Sequence, residues 1–213
     1  MPDRIAELKP RPRERVLVTL SGGRFFTIPA EQAYVLSVGL EISDAEIARL
    51  DHIDQYFRGR EKALRLLALR NRTRHEVKTA LEKISIESAI REGILSELEE
   101  NGLVDDARFA REYTQTKAEA RFMGPHRLRH DLARLGVRRD VVDAAIEETF
   151  GGETQEAQAW ALVERKLGLS TPDEKSVRRL AGLLRRKGYD YEVVNRVSYE
   201  LLRRAGNERA VEE

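Results

Sequence analysis

The chain has no cysteine among its 213 residues. A disulfide framework, a thiolate metal site and a cysteine nucleophile are therefore excluded, and a reducing compartment, the cytoplasm, is the expected location. Aromatic residues make up only 6% of the chain, so the core has to be built from Leu, Val, Ile and Ala. Nowhere do about 18 apolar residues follow one another, as a membrane helix would need. The opening Met1-Pro2-Asp3-Arg4 is charged and lacks the apolar segment of a signal peptide. An excess of one charge sign is missing as well: 38 basic residues face 37 acidic ones, for a net +1. Any affinity for a polyanion must come from local bias rather than from the net charge.

What is present favours helices. Charged residues reach 35% and hydrophobic ones 41%, and the abundant types, Ala, Leu, Glu, Arg and Lys, keep their rotamer freedom in a helix. The first 56 residues differ from the rest. Arg15–Leu20 and Arg24–Ile28 are β-prone runs separated by Ser21-Gly22-Gly23, which predicts a small hairpin. Pro29 suits the first turn of a helix running through Tyr34 and Leu36, with Gly39 as a left-handed stop. Ser43-Asp44-Ala45-Glu46 is a capping box that opens a further short helix.

From residue 57 on, the chain repeats itself. Thr73, Gly124 and Ser176 stand 51 and 52 residues apart, and the positions after them agree in character. Val77, Leu128 and Leu180 align, as do Leu81, Leu132 and Leu184. Ser85, Gly136 and Gly188 end this helix, followed by Ile86, Val137 and Tyr189. The next helix aligns Ile90, Val141 and Val193, then Ile94, Ala145 and Val197. A further helix precedes each pair, marked by Ala63-Leu64, Phe109-Ala110 and Trp160.

The reading is mainly α: three tandem three-helix repeats at 57–106, 107–153 and 154–213 behind an N-terminal hairpin and helical segment at 1–56. Units of this size bury their apolar stripes on one another, which predicts an elongated curved array. Caps mark the cuts: Thr73 with Glu76, Thr171-Pro172-Asp173-Glu174, and the stop at Asn101-Gly102.

Asn101-Gly102-Leu103-Val104-Asp105-Asp106-Ala107-Arg108-Phe109-Ala110 resembles a segment of the RecX family. Gly124-Pro125-His126-Arg127-Leu128, with Leu132 and Gly136-Val137, is similar to the helix that follows it there. Ala63-Leu64, Leu67, Arg70, Thr73 and Glu76-Val77 resemble the family's first repeat, with Glu82-Lys83-Ile84-Ser85-Ile86 where a Lys-Gly turn is common. The likeness spans roughly residues 15 to 203. It implies a non-catalytic, cofactor-free monomer that binds the RecA–DNA filament in its helical groove. Such a protein limits filament extension, ATP hydrolysis, strand exchange and co-protease activity. A helical-repeat protein that binds nucleic acid directly is the alternative.

Either partner would be met by basic helix faces. The candidates are Lys117, Arg121, Arg127, Arg129, Arg134, Arg138 and Arg139 in the second repeat, nearly unopposed in sequence, with Arg127, Arg134 and Arg138 spaced to share a face. The third repeat offers Arg178, Arg179, Arg185, Arg186 and Lys187. Arg70, Arg72 and Arg74 form a weaker set.

Other features read as structural. Asp105-Asp106 after Gly102 suits a helix cap better than a magnesium site. His126 and His130 have a zinc spacing but no third ligand. Trp160 and Tyr189 sit at core spacing rather than as stacking platforms. Gly22-Gly23 and Gly151-Gly152 are turns, with no phosphate loop and no nucleophile elbow.

Overall fold

The computed structural model describes residues 3–151, 154–168 and 170–209. Two compact units divide the chain: residues up to Arg72 with Glu76–Val104, and Thr73–His75 with the residues from Asp105 on.

In the first unit the predicted hairpin is present as β2 (Arg15–Leu20) and β3 (Phe25–Pro29), with Val18 opposite Phe26 and Val16 opposite Ile28. Two further strands join it, β1 (Asp3–Arg11) and β4 (Glu41–Ile42), in the order β3-β2-β1-β4. The sequence hides β1 because Ile5 is its only fully buried residue. Its turn into β2 is also silent, since the positive φ angles fall on Arg13 and Glu14 rather than on glycine or asparagine. Asp3 accepts hydrogen bonds from Arg24 Nη2 at 2.8 Å, the Gly22 N–H at 2.9 Å and the Ser21 hydroxyl at 3.1 Å. The Arg24 bond leads in holding its carboxyl below the usual range.

The helix expected through Leu36 is a single turn, α1 (Ala30–Ala33). Gly39 does take a left-handed conformation, at φ +90°. Ser43 then caps α2 (Asp44–Leu67): its hydroxyl accepts the Glu46 N–H while Glu46 Oε2 accepts the Ser43 N–H at 2.8 Å. This is one helix of 24 residues, not a short helix followed by another that starts at 57. Its N-terminal half buries Ile47 and Leu50 in the sheet's core with Ile5, Leu20 and Ile28, and its C-terminal half buries Ala63 in the first repeat. Gly59 lets it lie close to the repeat, since an added Cβ would stand 2.7 Å from Ile94 Cδ1.

The first repeat continues with α3 (Arg74–Glu82), whose first residues group with the second unit, and α4 (Ser88–Glu100). Val77, Leu81, Ile86, Ile90, Ile94 and Leu98 are all buried, as their periodicity predicts. Glu97 ties α4 to α2 by accepting from the Tyr56 hydroxyl and from Arg60 Nε at 2.8 Å. Both bonds, Tyr56 first, hold its carboxyl below the ordinary range. Its contribution is therefore full above about pH 4.5 and is lost as pH falls through the depressed folded value. Glu97→Ala is expected to destabilise by about 1.5–3 kcal/mol, because two polar partners lose their acceptor. Urea denaturation at pH 7 and pH 3 checks this: the gap between variant and wild type should narrow in acid, and an equal gap would refute it.

The second unit holds two complete repeats. The first is α5 (Asp106–Arg121), α6 (Pro125–Arg134) and α7 (Arg139–Phe150), around Phe109, Ala110, Leu128, Leu132, Val142 and Ile146. The other is α8 (Thr154–Leu167), α9 (Glu174–Lys187) and α10 (Tyr191–Arg209), around Leu162, Val163, Leu180, Leu184, Tyr189 and Val197. Asp105 caps α5 by accepting the Arg108 N–H at 2.8 Å. The capping box of α9 stands two residues later than Thr171 suggests: Asp173 accepts from Ser176 N at 2.7 Å and donates its own N–H to Ser176 Oγ at 2.9 Å. Gly151 follows α7 as its cap, while Gly152 lies outside the described residues.

The aligned helix stops all turn left-handed, at φ +57° for Ser85, +76° for Gly136 and +89° for Gly188. Serine thus does at Ser85 what glycine does in the other copies. Two of these turns serve as seats. Gly188 receives the start of α6, with Gly124 N–H donating to the Lys187 carbonyl at 2.8 Å and His126 N–H to the Gly188 carbonyl at 3.0 Å. In register with this, Thr73 Oγ1 donates to the Leu135 carbonyl at 2.7 Å and the Gly136 turn abuts His75.

Candidate partner-binding surface

The fifteen candidate cations fall into three different situations. Those of the second repeat are mostly paired, which corrects the expectation that they stand unopposed. Arg127 pairs with Asp131 at 3.3 Å, Arg129 with Asp143 at 3.1 Å, Arg138 with Asp140 at 2.7 Å and Arg139 with Asp143 at 3.6 Å. Asp143 lies on α7, so its pairing with Arg129 of α6 cannot be seen along a single helix, while the other three pairs are local in the chain. Arg138 does not share a helix face with Arg127 and Arg134 either, because the Gly136 turn separates it from α6 and makes it the N-cap of α7. Arg134 is exposed with no acidic partner among the described residues. Lys117 lies half-buried over the Tyr113 ring, 5.3 Å from its centre.

Arg129 and Arg139 meet, with His130 and Asp143, at the rim of a cleft of about 560 Å³ floored by Ala133, Val137 and Val142. The exposed ion pairs around it are each worth only about 0–1 kcal/mol and can be exchanged for a partner's carboxylate at little cost. His126 Nε2 is 2.9 Å from Asp190 Oδ1, and no group of three or more metal-ligating residues occurs among the described residues.

In the third repeat the cations are freer. Arg178 pairs loosely with Glu174 at 3.4 Å, both side chains being largely exposed. Arg179, Arg185 and Arg186 form no hydrogen bond or ion pair with a described residue. Lys187 is committed elsewhere: its Nζ donates to the Arg121 carbonyl at 2.6 Å and closes the end of α5. Tyr189 is buried in the core, as expected, and Trp160 is half-buried against it with the Arg204 guanidinium 4.6 Å from the ring centre.

The first-repeat set is structural. Arg70 and Arg72 both bind Glu76, at 2.5 and 3.3 Å. Arg74 gives its backbone N–H to Asp106 Oδ1 at 2.8 Å. Burial pushes the Asp106 carboxyl above its ordinary range.

One cluster escaped the sequence. Arg13, Arg15 and Arg65 converge on Glu61, at 3.1 Å for Arg15 and 2.6 Å for Arg65, beside a cleft of about 390 Å³. It joins the β1–β2 turn to α2, and only its Glu61–Arg65 pair, four residues apart on α2, is visible along the chain.

A regulatory protein RecX of Thermobifida fusca is 36% identical to this chain over 157 residues, covering 73% of the chain and 84% of the relative. The chain belongs to the RecX family. A regulatory protein RecX of Streptomyces coelicolor is 35% identical over 159 residues, covering 83% of that protein. One of Clostridium beijerinckii is 25% identical over 197 residues, 90% of the chain. The family model of the second RecX three-helix domain matches residues 105–146, and that of the third matches 153–197.

The RecX fold extends beyond those two domains. A crystal structure of a regulatory protein RecX superposes with a TM-score of 0.66 at 23% identity, covering 91% of this chain and 97% of that one. RecX from Lactobacillus salivarius superposes with 0.63 at 22% identity over 70% of the chain. A regulatory role in the RecX manner follows from membership. No helix among the described residues is long and apolar enough to cross a membrane.

Proposed function

We propose that this RecX-family chain binds the RecA–DNA filament in its helical groove. There it restrains filament extension, ATP hydrolysis, strand exchange and co-protease activity. The observation that carries this is the contrast within the repeats. Their regularly spaced residues are core and caps, while Arg134, Arg179, Arg185 and Arg186 stand exposed and unpaired among the described residues. Weak contacts spread over successive repeats add through effective concentration, which suits a partner that is itself periodic. On this reading the protein works as a monomer in the cytoplasm, needs no cofactor and performs no catalysis. Its proposed division is an N-terminal part to residue 56 and repeats at 57–106, 107–153 and 154–213, with α2 shared between the first two.

A second reading, direct action on DNA, is favoured by the unpaired cations of α9. The two differ in stoichiometry. A filament regulator suppresses DNA-dependent ATP hydrolysis by RecA at substoichiometric amounts, whereas a competitor for DNA acts only near saturation of the DNA.

At residue level, Arg127→Glu, Arg134→Glu and Arg138→Glu together are expected to weaken inhibition at least several-fold without unfolding. Arg134→Glu should carry the largest single share, since it alone has no acid to release. ATPase titrations beside circular dichroism check this, and unaltered inhibition removes the face from the site.

A further inference from the structure

Helix α9 is unlike the other helices in the distribution of its charge. At 100° per residue, Lys175, Arg178, Arg179, Arg185 and Arg186 fall within an arc of about 120°. That arc lies opposite the buried Val177, Leu180 and Leu184. No acidic residue and no apolar residue interrupts it, and the side chain at its middle is absent, because the residue there is Gly182.

Glycine inside an exposed helix is destabilising relative to alanine, and no turn or positive φ calls for it here. A Cβ built at Gly182 would meet nothing but Arg186 Nη1, at 3.3 Å. The guanidinium thus lies over the glycine, in the space a side chain would take, and keeps the face flat and cationic along its length. Arg179 acts on the capping carboxylate of Asp173 only through its field. Lys187 is not part of the arc, being bound to the Arg121 carbonyl.

We propose that this outer face of α9 is the chain's nucleic-acid contact, binding the phosphodiester backbone without reading sequence. It rests on the filament reading above and assigns the nucleic-acid part of that contact to one helix. Two observations favour phosphates over an acidic protein surface. Protein interfaces carry apolar or aromatic residues at their centre, and this face has none. Five cations along about 16 Å of helix, of which only Arg178 meets an acid, Glu174 at the helix start, find a matching density of negative charge in a nucleic-acid backbone. The second repeat makes the opposite arrangement, with acids among its arginines and an apolar cleft floor.

The test is fluorescence anisotropy of the full-length protein with a labelled oligothymidylate and a labelled duplex over a range of salt. Wild type should bind, with affinity falling as salt rises. Arg179→Ala, Arg185→Ala and Arg186→Ala combined should lower affinity at least about tenfold at low salt and reduce the single-strand salt slope by about 2. Gly182→Leu, which leaves the charge unchanged, should weaken binding several-fold, because it displaces Arg186. Neither variant touches the core, and circular dichroism confirms the fold.

No binding by wild type, wild-type affinity and slope in the triple variant, or displacement by polyglutamate as effective as by unlabelled oligonucleotide would each overturn the proposal. The RecA ATPase separates its failure from that of the filament reading. If wild type inhibits RecA while the triple variant keeps full oligonucleotide affinity, α9 is wrong and the filament reading stands. If the triple variant loses the oligonucleotide but wild type never affects RecA, the reverse holds.

Discussion

Gly188→Ala should destabilise the second unit by about 2–5 kcal/mol, more than any charge substitution on its surface. Two costs add. Gly188 sits at φ +89°, where a residue with a Cβ is strained by about 1 kcal/mol or more. Its new Cβ would also stand 2.4 Å from the Arg127 backbone nitrogen, and backbone cannot move aside as a flexible side chain can, so overpacking costs about 1–3 kcal/mol more. From the other side, a Cβ at Gly124 would meet the Gly188 carbonyl carbon at 2.5 Å, so Gly124→Ala should act in the same direction. Two glycines face each other here so that the start of α6 can sit on the end of α9. Thermal or urea denaturation reads the loss, and Gly182→Ala, where the new Cβ would meet only the flexible end of Arg186 at 3.3 Å, serves as a control expected to be neutral or stabilising. A Gly188→Ala protein as stable as wild type would contradict this account of the junction.

At Tyr189 two substitutions should differ widely. Tyr189→Ala removes a ring that is 3% exposed and packed among Leu184 and Val193, and should cost about 3–5 kcal/mol. Tyr189→Phe should be neutral or stabilising, because the hydroxyl is buried without a hydrogen-bond partner among the described residues and loses nothing by removal. The same burial pushes the phenol up to about 12. With a folded value above the unfolded one near 10, stability is fully present below pH 10 and is lost as pH rises towards 12. The loss amounts to about 2–3 kcal/mol at 1.36 kcal/mol per unit. Denaturation midpoints at pH 7 and pH 11 for wild type and Tyr189→Phe measure this. The variant should lose less than wild type on going to high pH, and parallel loss would show that the phenol is not responsible.

The burial of Tyr189 is legible in the sequence alone. The residue aligns with Ile86 and Val137, and all three are buried, because helical periodicity is imposed by a core that each repeat must close with its own residues. Caps are legible for the same local reason, as at Ser43 and Asp105, although Asp173 rather than Thr171 opens α9. Strand β1 is not legible: its pairing with β2 and β4 is set by partners elsewhere in the chain, and its own residues are mostly charged.

The candidate surface divides along the same line. That α9 carries a run of cations is visible along the chain. That Arg129 is neutralised by an aspartate of α7, and that Lys187 is spent on a carbonyl, depends on contacts across helices, whereas Arg127 with Asp131 and Arg139 with Asp143 pair four residues apart on one helix. Charge counted along a sequence overstates the charge available to a partner wherever a neighbouring helix supplies the acid.

The most direct measurement of the central claim is a titration of this protein into RecA hydrolysing ATP on single-stranded DNA, at fixed RecA and in excess DNA. Hydrolysis should fall at substoichiometric protein, and filaments should shorten in parallel. Hydrolysis and filament length unchanged at a molar excess of this protein would contradict it.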